Sequence, residues 1–229
     1  MSFFTRSAEI ETRQLKPLAE CRLYAFVDTA YLHGRDPAEL ARQLCQGGAD
    51  LVQLRAKNAS AAEVRNLAAR ILPVTRDAGV WFVLNDHADL AAEFNAPCCH
   101  LGQEDFFDAG FGHVNELWAS RERRACCIGL SSHAPDQALR AVRAGADYVA
   151  IGPVFLTGTK PGRAAVTLDY VRWASSNLTL PWFAIGGIHL GNLGEVLAAG
   201  ATRICVVSAI LNQPDVAAAC RQFRERLPD

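Results

Sequence analysis

The sequence predicts an α/β fold: a single (β/α)8 TIM barrel over residues 21–229, preceded by a short N-terminal extension over 1–20. Three observations carry this. Eight short runs are near-continuously apolar instead of alternating, as in parallel strands packed on both faces. Most intervals between them hold a helical pattern with start or stop signals. A small unit also recurs: "GGADLVQL", "AGADYVAI" and "AGATRICVV" each close a helix on glycine, turn in two residues and enter a strand. The 229 residues suit one barrel of roughly 200–250 residues. Eight alternations with no linker favour a closed barrel over its competitor, a doubly wound open sheet.

Taken in order, the first strand is "LYAFV" (23–27). Asp36 can cap the helix that follows, with Pro37 in its first turn, Leu40, Ala41 and Leu44 on one face, and Gly47 and Gly48 at its end. "LVQL" (51–54) leads to "SAAE", Ser60 to Glu63, a capping-box pattern continued by Val64, Leu67, Ala68 and Ile71. "VWFVL" (80–84) precedes a segment containing Ala88 and Leu90, for which Asp86 is a candidate cap. "CCHL" (98–101) is followed by a weaker pattern around Val114 to Trp118. "CCIGL" (126–130) leads to a helix starting near Pro135, with a serine as candidate cap and Ala138, Leu139 and Val142 on one face. After "YVAI" (148–151) a helix is expected from Thr167 to Trp173. "WFAI" (182–185) precedes Val196 and Leu197, and "ICVV" (204–207) precedes Val216, Cys220 and Phe223.

A net charge of −1 argues against a nucleic-acid-binding face, which works by neutralising phosphates. The first twenty residues carry acidic side chains and no continuous apolar segment, so neither a signal peptide nor a membrane anchor is expected, and the cytoplasm is the expected compartment. The eight cysteines include two adjacent pairs, Cys98-Cys99 and Cys126-Cys127, and no CxxC spacing. Neighbours on a strand face opposite sides, so buried reduced thiols are expected rather than a metal or redox centre.

In such a barrel chemistry sits where strands end and loops begin. After the second strand, Gln53 and Arg55 share the inward side, Leu54 faces the helices, and Lys57 follows in the loop. Two cations at one mouth suggest an anionic ligand, against the plainer reading of a surface charge pair. Asn85 and Asp86 end the third strand, and Gln103, Glu104 and Asp105 follow the fourth. Asp86 and Asp105, on neighbouring loops, could hold Mg2+, which needs only one or two carboxylates. Ser131, Ser132 and His133 follow the fifth strand. In "GPVFLTGTK", Gly152 ends the sixth without a side chain to block the mouth, and Thr157, Gly158 and Thr159 offer donors to a phosphate beside the charge of Lys160. Gly187 and Ser208, after the seventh and eighth, offer a second anion site. The first site, with Arg55, Lys57, Lys160 and a metal, suits a diphosphate; the second, largely uncharged, suits a monophosphate.

"QLRAK", "ND", "HLGQED", "GLSSH", "GPVFLTGTK", "AIGGI" and "VVSAI", in this order, resemble the thiamine phosphate synthase family, also called thiamine-phosphate pyrophosphorylase, from about Leu23 to Ile210. The resemblance implies a transferase that joins 4-amino-2-methyl-5-(diphosphooxymethyl)pyrimidine to 4-methyl-5-(2-phosphoethyl)thiazole, or its carboxylated form, and releases diphosphate. It implies that Gln53, Leu54, Arg55, Ala56, Lys57, Asn85, Ser131 and Lys160 contact the pyrimidine diphosphate. Asp86 and Asp105 would hold Mg2+, and Thr157, Gly158, Thr159, Gly187, Val207 and Ser208 the thiazole phosphate. Arg55, Lys57, Ser131 and Lys160 would carry the catalytic charge stabilisation.

Small molecules are thus the expected partners, with no nucleic acid and no membrane, and a homo-oligomer is compatible with the sequence. Two other readings compete. A thiazole tautomerase-like isomerase would share the barrel but have no use for Arg55, Lys57, Asp105 or the "TGTK" run. A noncatalytic phosphate-binding barrel could keep Gly187 and Ser208 with no reason to pair carboxylates.

Overall fold

In the computed structural model, which describes residues 14–118, 126–156 and 165–228, the eight apolar runs are parallel strands closed in sequence order into a barrel. They are β1 (Leu23–Asp28), β2 (Leu51–Arg55), β3 (Trp81–Asn85), β4 (Cys98–Leu101), β5 (Cys127–Ser132), β6 (Tyr148–Ile151), β7 (Trp182–Ile185) and β8 (Ile204–Cys205). β1 pairs with β2 on one side and β8 on the other, so the open-sheet alternative is excluded and no strand edge remains.

The helices are α1 (Pro37–Gln46), α2 (Ala61–Ala78), α3 (Ala88–Glu93), α4 (Pro135–Arg143), α5 (Thr167–Asn177), α6 (Leu193–Ala198), α7 (Ser208–Leu211) and α8 (Val216–Arg224). Local signals place α1 and α2. Asp36 accepts from the amides of Ala38 and Glu39, and Ser60 and Glu63 form the reciprocal capping box. Each such cap contributes about 1 kcal/mol. The fourth interval holds a π-helical turn at Glu104–Asp108 and a 3-10 turn at Val114–Leu117. Glycines at 102, 110 and 112 break up this interval, and Phe106 and Phe107 are buried in place of a regular helix face.

Two cap expectations fail. The residue before α3 is His87, with no side-chain cap, and Ala134 precedes α4 with none. Asp86, Ser131 and Ser132 are bonded elsewhere: Ser132 Oγ lies 2.6 Å from the Tyr170 hydroxyl, and the other two belong to the site described below.

The strand period of two divides the core. Leu23, Ala25, Val27, Val52 and Leu54 face the helices, whereas Tyr24, Phe26, Val83, Tyr148, Phe183 and Cys205 fill the barrel interior. Burying each large side chain contributes about 1.5–3 kcal/mol. Tyr24 and Tyr148 each meet Phe183 edge-to-face at 5.5 Å between centroids, a geometry that adds about 0.5–1.5 kcal/mol per pair. Gly129 makes room for this cluster: a Cβ there would lie 2.0 Å from Tyr148 Cζ. The paired cysteines separate as period two requires, Cys98 inward and Cys99 toward the helices. All eight are free thiols, and burial pushes Cys21, Cys45 and Cys220 up to about 12.

The described end of the N-terminal extension closes the barrel bottom. Leu18 packs against the interior cluster, Trp81 Nε1 donates to the Lys16 carbonyl at 2.7 Å, and Lys16 pairs with Asp50 at 3.3 Å. The remainder, 1–13, lies outside the described residues. No helix among the described residues is long and apolar enough to cross a membrane.

Candidate active site

A hollow of about 440 Å3 opens at the C-terminal ends of the strands. β2 delivers its first polar groups: period two turns Gln53 and Arg55 inward. Arg55 Nη1 donates to Asp28 Oδ2 at 2.7 Å, and Asp28 Oδ1 accepts from the Ala30 amide at 3.0 Å. The Asp28 side chain is 1% exposed and that of Arg55 14%. A carboxylate this buried persists only with a charge partner, and the pairing fixes the guanidinium at the mouth. Asp28 was not among the sequence candidates. Its signal is a lone acid ending an apolar strand, in register with Arg55.

Lys57, in the next loop, places Nζ 2.5 Å from Asp86 Oδ2 and 3.7 Å from Asp105 Oδ2. Asn85 Nδ2 also donates to Asp86 Oδ2, at 2.5 Å. Asp86 takes a left-handed backbone at φ 67°, which Asp and Asn tolerate better than most residues. Burial pushes its carboxyl above the usual range; Lys57 pulls it back, and Asp105 raises it again by like-charge repulsion. Two carboxylates from adjacent loops therefore share one cation, the ammonium group.

Ser131, at the end of β5, has its Oγ 2.9 Å from His100 Nε2, and His100 Nδ1 is 3.0 Å from the Tyr148 hydroxyl. Tyr148 is 3.0 Å from the Tyr24 hydroxyl, which Gln53 Nε2 also reaches. Gln103 Nε2 donates to the Ser131 carbonyl at 2.6 Å, tying the β4 loop to β5. Tyr24, His100 and Tyr148 were missed by sequence reasoning. Each is a polar-tipped residue inside an apolar run, and a buried phenol or imidazole needs a partner.

The opposite wall is uncharged among the described residues. Gly187 follows β7, Val207 and Ser208 lead into α7, and all three line the hollow. Asn192 clamps the Gly187 loop, donating to the Gly187 carbonyl at 3.0 Å while its Oδ1 accepts from the His189 amide at 2.8 Å. Gly152 also lines the hollow, but the reason for a glycine differs from the one expected. A Cβ there would lie 2.1 Å from the Ile185 carbonyl oxygen, so close approach of β6 and β7 excludes a side chain.

Of the sequence candidates, Gln53, Arg55, Lys57, Asn85, Asp86, Asp105, Ser131, Gly187, Val207 and Ser208 meet at this one hollow. Leu54 and Ala56 do not: both side chains are buried in the helix-facing core, because period two turns Leu54 away. Thr157, Gly158, Thr159 and Lys160 lie outside the described residues.

Comparison with known proteins agrees with this arrangement. Residues 23–210 match the family model described as thiamine monophosphate synthase. A thiamine-phosphate synthase of Thermus thermophilus is 52% identical over 184 residues, spanning 79% of this chain and 84% of that protein. One from Shouchella clausii is 38% identical, spanning 86% and 92%. The solved structure of a thiamine phosphate pyrophosphorylase from Pyrococcus furiosus superposes with a TM-score of 0.79 at 29% identity, covering 92% of this chain and 96% of that one. A closed barrel with a charged wall facing an uncharged one, in a chain matched over nearly its whole barrel, thus belongs to the thiamine monophosphate synthase family.

Proposed function

We propose that this transferase joins the pyrimidine diphosphate to the thiazole phosphate by a dissociative route, in which the C–O bond to diphosphate breaks before the thiazole nitrogen attacks. The observation that carries this reading is the polarity of the hollow. Arg55 at the end of β2, Lys57 in the loop after it, Asn85 at the end of β3 and Ser131 on β5 stand on one side, and Gly187, Val207 and Ser208 stand on the other.

Breaking that bond leaves a cation delocalised into the aminopyrimidine and several negative charges on the departing diphosphate. No protein nucleophile is needed. Arg55, already held by Asp28, offers positive charge that requires no rearrangement as the negative charge develops, and Lys57 adds a second cation on the same side. Asn85 and Ser131 add neutral donors on the same side. The monophosphate of the thiazole would sit at the uncharged wall, so that the ring nitrogen lies within about 3–3.5 Å of the methylene carbon. Lys160 would add charge to the leaving group from the loop after β6.

The carboxylates of Asp86 and Asp105 suit a hard divalent cation, since both already reach one positive group. Bound there, Mg2+ would act as a Lewis acid that neutralises diphosphate oxygens. A tautomerase-like isomerase would have no use for the Arg55–Asp28 pair or these carboxylates.

The test is to incubate purified protein with both substrates and Mg2+ and to assay thiamine phosphate and diphosphate, which should appear in equal amounts. Absence of both products with the plain and the carboxylated thiazole would overturn the reading.

A further inference from the structure

Five side chains form one hydrogen-bonded chain through the floor of the hollow, and its direction follows from which atoms can donate. Gln53 Nε2 reaches the Tyr24 hydroxyl. An amide nitrogen has protons and no lone pair to offer, so the phenol oxygen accepts. The Tyr24 proton then has the Tyr148 oxygen, 3.0 Å away, as an acceptor, and the Tyr148 proton has His100 Nδ1, also at 3.0 Å. Burial pushes both phenols well above their ordinary range, so each keeps one proton to give. A ring nitrogen that accepts is bare, which puts the proton of neutral His100 on Nε2. Nε2 lies 2.9 Å from Ser131 Oγ. The serine oxygen accepts there, and its own proton is left for a group in the hollow.

We infer that Gln53, Tyr24, Tyr148 and His100 act on Ser131 as a one-way relay of positioning residues, holding His100 as the Nε2–H tautomer so that the Ser131 hydroxyl donates to an anion. That the anion is a leaving diphosphate rests on the function proposed above; the polarity of the relay does not. No proton moves along the chain, which only fixes orientation. The reverse polarity would turn the Gln53 amide oxygen toward Tyr24, place the imidazole proton on Nδ1 and draw the Ser131 proton onto Nε2. Ser131 would then present only lone pairs to the anion.

The test begins with 15N-histidine-labelled protein without ligand, with the His100 signal assigned by its loss in His100→Asn. Long-range 1H–15N correlation should show a protonated Nε2 and a bare Nδ1. A protonated Nδ1 or an averaging mixture overturns the relay. Inorganic diphosphate with Mg2+ is then titrated calorimetrically. Ser131→Ala should weaken binding about tenfold or more, the order of one hydrogen bond to a charged group. Tyr148→Phe keeps the ring and removes the proton; it should release the tautomer and weaken binding about threefold or more. In that background Ser131→Ala should cost less than in the wild type, since the two act through one interaction. Full additivity would overturn the relay. If Tyr148→Phe does not fold, Tyr24→Phe serves the same comparison one link away. Wild-type protein that shows the Nε2–H tautomer but binds no diphosphate would sink the site reading while leaving the relay standing.

Discussion

Replacing Asp28 with Asn isolates the role of the buried acid behind Arg55. Asp28 Oδ1 accepts from the Ala30 amide and Oδ2 from Arg55 Nη1, so the Asn variant keeps one of these two acceptors, turns the other into a donor and removes the charge. At 2.7 Å the gross attraction of the pair is about 6 kcal/mol at an effective dielectric of about 20. Desolvation of both ions offsets much of it, and the neutral hydrogen bond that remains restores about 1 kcal/mol. Because Arg55 opens onto a wet hollow, the net loss falls below the 3–5 kcal/mol typical of a broken buried pair, at about 2 kcal/mol. For a chain of this size that is a drop of about 4–8 °C in Tm. Kinetics should separate geometry from charge. Removing a negative charge leaves the hollow more positive, so inorganic diphosphate should bind at least as tightly, while kcat falls about tenfold as Arg55 loses its fixed orientation. Thermal unfolding, diphosphate calorimetry and steady-state kinetics on one preparation give all three quantities. An unchanged kcat alongside the expected Tm loss would refute the positioning role, and an unchanged Tm would refute the energetic account of the pair.

Asp105→Ala should abolish Mg2+-dependent turnover while shifting stability by no more than about 0.5 kcal/mol, because the side chain stands at the open mouth with 34% exposure; unchanged turnover at low Mg2+ excludes a metal role. Lys160→Ala should lower kcat more than it raises the thiazole KM, and a pure KM effect would count against charge stabilisation of the leaving group. Asp86→Asn tests the raised carboxyl. A carboxyl raised on folding opposes the folded state, the cost being absent below its unfolded value near about 3.9, growing as pH rises toward the folded value, and constant above it. Without Mg2+, the Asn variant, whose side chain tolerates the left-handed backbone, should therefore melt higher than wild type at pH 7 and level with it near pH 3. A lower melting point at pH 7 would mean that the Lys57 pair outweighs burial. Gly129→Ala should destabilise by about 1–3 kcal/mol by overpacking against Tyr148, measured by denaturant unfolding, and should weaken diphosphate binding with it.

The eight strands and most of the longer helices were legible because each carries its own local signal, whereas the short α7, the 3-10 turn at Val114–Leu117, and the boundaries and partners were not. The apolar run over 126–130 ends before the strand does: β5 continues to Ser132, because Ser131 and Ser132 still pair with Ala150 and Ile151 while His100 and Tyr170 take their hydroxyls. The run over 204–207 outlasts its strand, since the chain leaves the ladder after Cys205 and turns at Val207 into α7. Asp86 and the two serines matched cap patterns locally and were drawn to distant partners, a contest that nearest-neighbour spacing does not reveal.

Inward and outward sides, the caps of α1 and α2, and the gathering of Arg55, Lys57, Asn85, Asp86, Asp105 and Ser131 at one rim follow from the sequence, because period two and the strand-end rule act within a few residues. Tertiary structure alone decided that Asp28 holds Arg55, that Lys57 bridges two carboxylates, and that Gln53 connects through two tyrosines and a histidine to Ser131. These contacts join groups as many as 124 positions apart, as between Tyr24 and Tyr148. They depend on barrel closure and on the shared interior, where a buried polar group takes whichever partner the packing brings within reach.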